Sequence, residues 1–164
     1  MSTKSDYTPE EWKSVLATPY YTAMVVVLAD INLTYFREIA ALGKAIMGSA
    51  SESDSDLIKA VAVDFTSKES QDEVKLEMEK LKGEKDPAAL KKAMVDYITN
   101  TVDLVNSKSA EDGQAYSKWL MVLAQKTAEA SKEGGFLGIG AVRVSGKEQA
   151  ALDELAEILG VSAA

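Results

Sequence analysis

The stretch Thr8-Pro9-Glu10-Glu11-Trp12-Lys13-Ser14-Val15-Leu16-Ala17-Thr18-Pro19-Tyr20-Tyr21-Thr22-Ala23-Met24-Val25-Val26-Val27-Leu28-Ala29 decides the fold class. It opens on a capping box, in which Thr8 offers its hydroxyl to the N–H of Glu11 and Glu11 returns a carboxylate to the N–H of Thr8. Pro9 takes the first helical position, where its missing N–H would have had no partner anyway. Trp12, Val15 and Leu16 follow at helical spacing. Thr18-Pro19 repeats the start signal, so the sequence predicts a break there and a second helix through Val25 to Ala29. From Ala23 to Ala29 the chain is apolar on every side, which predicts the most buried helix of the molecule. That run is too short to cross a bilayer, which needs about 20 residues.

The same punctuation recurs down the chain. Asp30-Ile31-Asn32 predicts a turn or kink, and Phe36, Ile39, Ala40, Gly43, Ile46 and Met47 form the next stripe, closing near Gly48. Residues 49–56 are small, polar and acidic and read as a mobile Ser-rich linker whose last residues cap the following helix. That helix carries Leu57, Ile58, Val61, Ala62 and Phe65. Ser70 is expected to cap Gln71–Leu81, the most exposed helix, where spare apolar residues at Leu76, Met78 and Leu81 favour self-association. Asp86-Pro87 starts a helix over Leu90, Met94, Tyr97, Ile98, Val102 and Val105. Ser109 opens a long one that buries Tyr116, Trp119, Leu120, Leu123 and Thr127 and ends at Gly134-Gly135. Ser145-Gly146-Lys147-Glu148 is a second capping box, and Gly160 is the C-cap of the last helix.

Only the few residues around Val142 and Val144 alternate as a strand would. The reading is one all-α domain over residues 1–164, an antiparallel bundle of six to eight helices. An internal echo joins Val27-Leu28-Ala29 and Glu38-Ile39-Ala40-Ala41-Leu42 to Val122-Leu123-Ala124 and Glu148-Gln149-Ala150-Ala151-Leu152. It admits two similar helix-pair units, although E-x-A-A-L is common in helical proteins.

Composition narrows the chemistry. The chain is 46% apolar and 27% charged, with 26 acidic against 18 basic residues and a formal charge of −8. Such a surface disfavours nucleic acid and anionic membrane as partners. There is no cysteine and no histidine, which removes thiolate chemistry, Cys- or His-ligated metal and the commonest general base. No apolar leader follows Met1, so a cytoplasmic location is the expectation.

The densest concentration of unusual residues is Gly134–Gly146, with Gly138, Gly140 and Arg143 ahead of Lys147 in the first turn of a helix. One reading is an anion site, formed by free N–H groups, the helix dipole and two cations. The other is packing: Phe136, Leu137 and Ile139 plug the end of the bundle while the glycines permit tight turns. The stretch lacks the third glycine of a dinucleotide fingerprint and the Ser or Thr of a P-loop. No cofactor is expected, and a divalent metal would need oxygen ligands alone, with Glu133 and Glu148 as candidates. Asp54-Ser55-Asp56 begins like a calcium loop but lacks its later ligands and glycine. Asp30, Glu38, Asp64, Asp96 and Asp103 lie beside apolar faces, where pairing, for instance with Arg37, explains them more simply than catalysis. Trp12, Tyr20, Tyr21, Tyr97, Tyr116 and Trp119 follow the helical stripes and read as core.

Val122-Leu123-Ala124, Ala130, Glu133-Gly134, Val144-Ser145, Glu148 and Ile158-Leu159-Gly160 together resemble the tellurite-resistance TerB-like family over about a quarter of the chain. The resemblance implies an all-helical cytoplasmic domain built of helix pairs, with acidic metal-binding turns and a link to stress responses. The family's Ala-Asp-Gly turn is represented here by Glu133-Gly134 alone. The leading functional expectation is a non-enzymatic interaction or scaffold domain with a protein partner or a second copy. A small-anion or metabolite binder using Gly138, Gly140, Arg143 and Lys147 comes next, and a carboxylate-metal protein or enzyme third.

Overall fold

The computed structural model describes residues 2–29, 35–81, 83–130 and 144–162, with 35–41 described by backbone alone. Among these, every regular element is helical. A 3-10 turn at Lys4–Asp6 precedes α1 (Pro9–Ala29), α2 (Tyr35–Ser51), α3 (Asp56–Phe65), α4 (Lys68–Glu79), α5 (Pro87–Lys108), α6 (Ala110–Ala130) and α7 (Gly146–Leu159). The chain is thus all-α with seven α-helices among the described residues.

α1 is the axis of the molecule and touches each of the other six helices. Its buried residues are Trp12 and the runs from Val15 to Pro19 and from Tyr21 to Val27, as a segment apolar on every side demands. The expected break at Pro19 is absent, because α1 passes through it. A proline inside a helix removes the N–H that would bond the carbonyl four residues back, here that of Val15. The Tyr116 hydroxyl of α6 donates to that oxygen at 2.6 Å, so a tertiary hydrogen bond replaces the missing helical one. Thr18 and Thr22 donate their hydroxyls to Ser14 and Thr18 carbonyls at 2.8 and 2.9 Å. The two buried threonine hydroxyls are thereby satisfied within the helix.

Two further boundaries differ from the sequence reading. Residues 49–51 are the last turn of α2 rather than linker, and Ser49 and Ala50 are buried. The Ser49 hydroxyl accepts from Trp119 Nε1 at 2.8 Å and donates to the Ala45 carbonyl at 2.5 Å. Composition marked Ser49 as loop, whereas burial against Trp119 of α6 makes it core. Ser55 caps α3 as expected. α4 starts at Ser67, whose hydroxyl accepts from Ser70 N–H at 3.1 Å, and Ser70 lies buried inside the helix. Both serines are plausible caps by residue type, and the register of Val74 against the core selects the earlier one.

The remaining caps match the sequence. Thr8 and Glu11 exchange bonds at 2.7 and 3.2 Å, and the Asp86 carboxylate accepts from Ala88 and Ala89 N–H ahead of Pro87. Ser145 and Glu148 do the same for α7 at 2.8 and 3.2 Å. α4 is the poorly covered helix, with only Ser70, Val74 and Glu77 buried. Leu76 points outward, while Met78 and Leu81 pack on the core, so only one of the three residues expected to be spare is free.

Candidate functional site

Of the residues singled out in the glycine-rich stretch, Glu133, Gly138, Gly140 and Arg143 lie outside the described residues, as do Asp30 and the side chains of Arg37 and Glu38. Lys147 is exposed in the first turn of α7. Glu148 is buried, and its carboxylate and N–H are both used by the capping box with Ser145. The other acids separate. Asp96 pairs with Lys92 on the surface at 2.6 Å, and Asp103 is exposed. Asp64 accepts from Trp12 Nε1 at 2.8 Å and from Lys4 Nζ at 2.5 Å.

The aromatic residues are core. Tyr21 and Tyr97 meet at 4.4 Å between centroids, and Tyr116 and Trp119 at 5.8 Å. The Tyr21 hydroxyl donates to the Glu77 carbonyl at 2.9 Å, and that of Tyr97 to the Glu77 carboxylate at 3.4 Å. Burial, reinforced by the Glu77 charge, pushes the Tyr21 hydroxyl up to about 12. Burial also raises Tyr97 and Tyr116. These phenols stay protonated and donate to fixed acceptors, and no buried side-chain nitrogen or oxygen among the described residues lacks a partner. Such a network holds helices together and leaves little polar capacity for a ligand.

Asp112, in the first turn of α6, went unnoticed in the sequence. It is buried and accepts from the Ser2 backbone N–H and, at 2.9 Å, from the Ser2 hydroxyl, which also meets the Tyr7 hydroxyl at 3.0 Å. Burial works to raise its carboxyl, but the Ser2 and Ser109 hydrogen bonds outweigh it and hold the group below its ordinary value. The arrangement ties the N-terminal segment to the α5–α6 corner. No sequence signal joins residues this far apart.

Besides an apolar opening of about 360 Å³ between the end of α1 and the start of α5, two others bear on function. The first is a polar cleft of about 450 Å³ where the 3-10 turn and the start of α1 face the α3–α4 corner. The second is an apolar groove of about 610 Å³ between α6 and the chain leaving α7. Gly160 turns that chain in the left-handed conformation, at φ 64°, which glycine adopts without steric cost. Its N–H donates to the Glu157 carbonyl and that of Val161 to the Ala156 carbonyl, at 3.2 and 3.0 Å. This Schellman turn folds Val161 back onto the bundle.

Across from it, Met121 and Val122 of α6 line the groove between Lys118 and Lys126. Lys118, Val122 and Lys126 are four residues apart in turn, so they form one row of about 12 Å along the outer face of the helix. Val122 is 42% exposed. Neither lysine makes an ion pair among the described residues, while Gln125 and Glu129 bond to each other at 3.2 Å. The signal was present in the sequence: once Tyr116, Leu120, Leu123 and Thr127 define the inner stripe of this helix, Val122 is an apolar residue on the wrong side.

Among the described residues no helix is long and apolar enough to cross a membrane, and no three acidic side chains converge as a metal site would require. Comparison with known proteins adds no relative: no family model matches the chain, and neither a curated protein nor a solved structure is similar to it.

Proposed function

We propose that this chain is a protein-interaction domain that docks an acidic amphipathic helix of a partner in the groove between α6 and the C-terminal turn. The observation that carries the proposal is the row Lys118–Val122–Lys126, an exposed apolar residue between two lysines without ion pairs among the described residues. On a chain with a formal charge of −8, such a row is a local reversal of sign over an apolar floor. Helix-in-groove recognition uses this pairing: apolar anchors supply affinity, and flanking charges set register and speed encounter. An anchor from the partner would cover Met121, Val122 and Val161, and carboxylates one turn to either side would meet the lysines. Binding rather than catalysis also accords with a sequence that has neither histidine nor cysteine.

The test places a photo-crosslinking residue at position 122 and, as a control, at the still more exposed Leu76. A partner captured at 122 is identified, purified and titrated against the wild-type chain and Val122→Asp. The expected result is a loss of about tenfold or more in affinity with an unchanged melting temperature, since the site is exposed. Equal capture at both positions, or unchanged affinity for Val122→Asp, would refute the reading.

A further inference from the structure

The polar cleft at the opposite end of the chain carries a separate inference. Its wall is aromatic: Tyr7 and Trp12 stand 5.7 Å apart between centroids, and Trp12 is buried to its indole N–H, which is fixed on Asp64. Around that wall stand three carboxylates, Asp64 from the end of α3 and Glu69 and Glu73 from the first turns of α4. The Asp64 carboxylate is held through one oxygen, Oδ2, which takes both Trp12 and Lys4. Ser70 also lines the cleft.

The Lys4 ammonium lies 5.6 Å from the centre of the Trp12 ring and 2.5 Å from Asp64. An aromatic face with a carboxylate beside it is the chemistry that recognises alkylammonium groups. The positive end of the α4 dipole favours an anion here, but it amounts to about half a charge. Asp64, Glu69 and Glu73 together outnumber Lys4 and the Lys13 ammonium that stands 3.7 Å from Glu73, and this excess of negative charge outweighs it. The lysine side chain is 57% exposed, and an ion pair so open to water is weakly held. The cleft keeps about 450 Å³ of open space with Lys4 in place.

We propose that this cleft binds an organic ammonium group, either a free alkylamine or a lysine side chain, and that Lys4 is its internal competitor. A ligand would displace the Lys4 ammonium from Asp64, cover the Trp12 face and extend toward Glu69, Glu73 and the Ser70 hydroxyl. Because Lys4 sits on the 3-10 turn, displacement would also loosen the N-terminal segment from α3.

The test follows the indole N–H resonance of Trp12, assigned with Trp12→Phe, at constant ionic strength. Butylamine stands for a free amine and Nα-acetyl-lysine amide for a protein lysine. Saturable shifts with either probe support the site, and which probe saturates at lower concentration names the source. In Lys4→Met, which keeps the stem and removes the charge, affinity is expected to rise about fivefold, because an occluded site lowers apparent affinity by the fraction occluded. Glu69→Gln with Glu73→Gln, which removes one exposed charge and one half-buried charge paired with Lys13, is expected to remove the gain while circular dichroism shows the helical fold kept. A linear, unsaturated shift with both probes in wild type and Lys4→Met, or equal affinity in those two proteins, would overturn the proposal.

Discussion

Pro19 takes away the N–H that the Val15 carbonyl would use, and Tyr116 supplies a phenol in its place from another helix, at 2.6 Å. The two residues act as one device, so their contributions should not add. Tyr116→Phe leaves a buried carbonyl without a donor and is expected to destabilise the chain by about 1–3 kcal/mol. In a Pro19→Ala background, where the helical N–H returns, the same change should cost less. A double-mutant cycle by chemical denaturation measures the coupling, and strict additivity would show that the phenol does not serve the proline gap. Residue identity announced the proline but not its cure. The start signal Thr18-Pro19 has the same local form as Thr8-Pro9, and only the second of these is a helix start.

Helices meet here through a few residues chosen for fit. Gly113, in the first turns of α6, is buried although glycine lowers helix stability. A Cβ at this position would lie 1.8 Å from Asn106 Oδ1 and 2.9 Å from Asn106 Cα. The side chain can swing aside, but the backbone of α5 cannot, so the glycine sets how closely α5 and α6 approach. Gly113→Ala therefore improves helix propensity but is still expected to lower stability and melting temperature, because overpacking by an intruding methyl group costs about 1–3 kcal/mol. A rise in stability would mean that the helix pair can separate freely. At this scale the sequence was largely legible. Caps at Thr8, Ser55, Asp86, Ser145 and Gly160 stand where residue type and spacing placed them, because a cap is a contact within four residues. The errors at Ser49 and Ser70 arose where a small polar residue is buried rather than left in a loop or at a cap.

At the scale of the molecule, α1 is enclosed by all six other helices, whereas α4 packs on α1 and α3 and leaves most of its side chains in water. Local opening follows burial. Hydrogen exchange should therefore reach the α4 amides well before those of α1 and α6, and uniform protection across the three would contradict this ordering. The two surface sites have different legibility. Val122 is on view in the sequence as an apolar residue off the stripe of its own helix, since α-helical period alone assigns its side. The Lys4–Trp12–Asp64 cradle and the Ser2–Asp112 tie join residues 60 and 110 positions apart, and no local pattern encodes them. By itself the sequence determined the helical class, most of the described helix ends and the buried face of most helices, because these depend on capping and periodicity within a few residues; α2 is the exception, since Met47 of its expected stripe is exposed while Leu42 and Ala45 are buried. The tertiary structure decided that α1 runs unbroken through Pro19, that Ser49 is core, and which charges meet at the N-terminal cleft. Those outcomes depend on donors, acceptors and side chains brought from distant helices, whose arrival only the packing of the whole chain arranges.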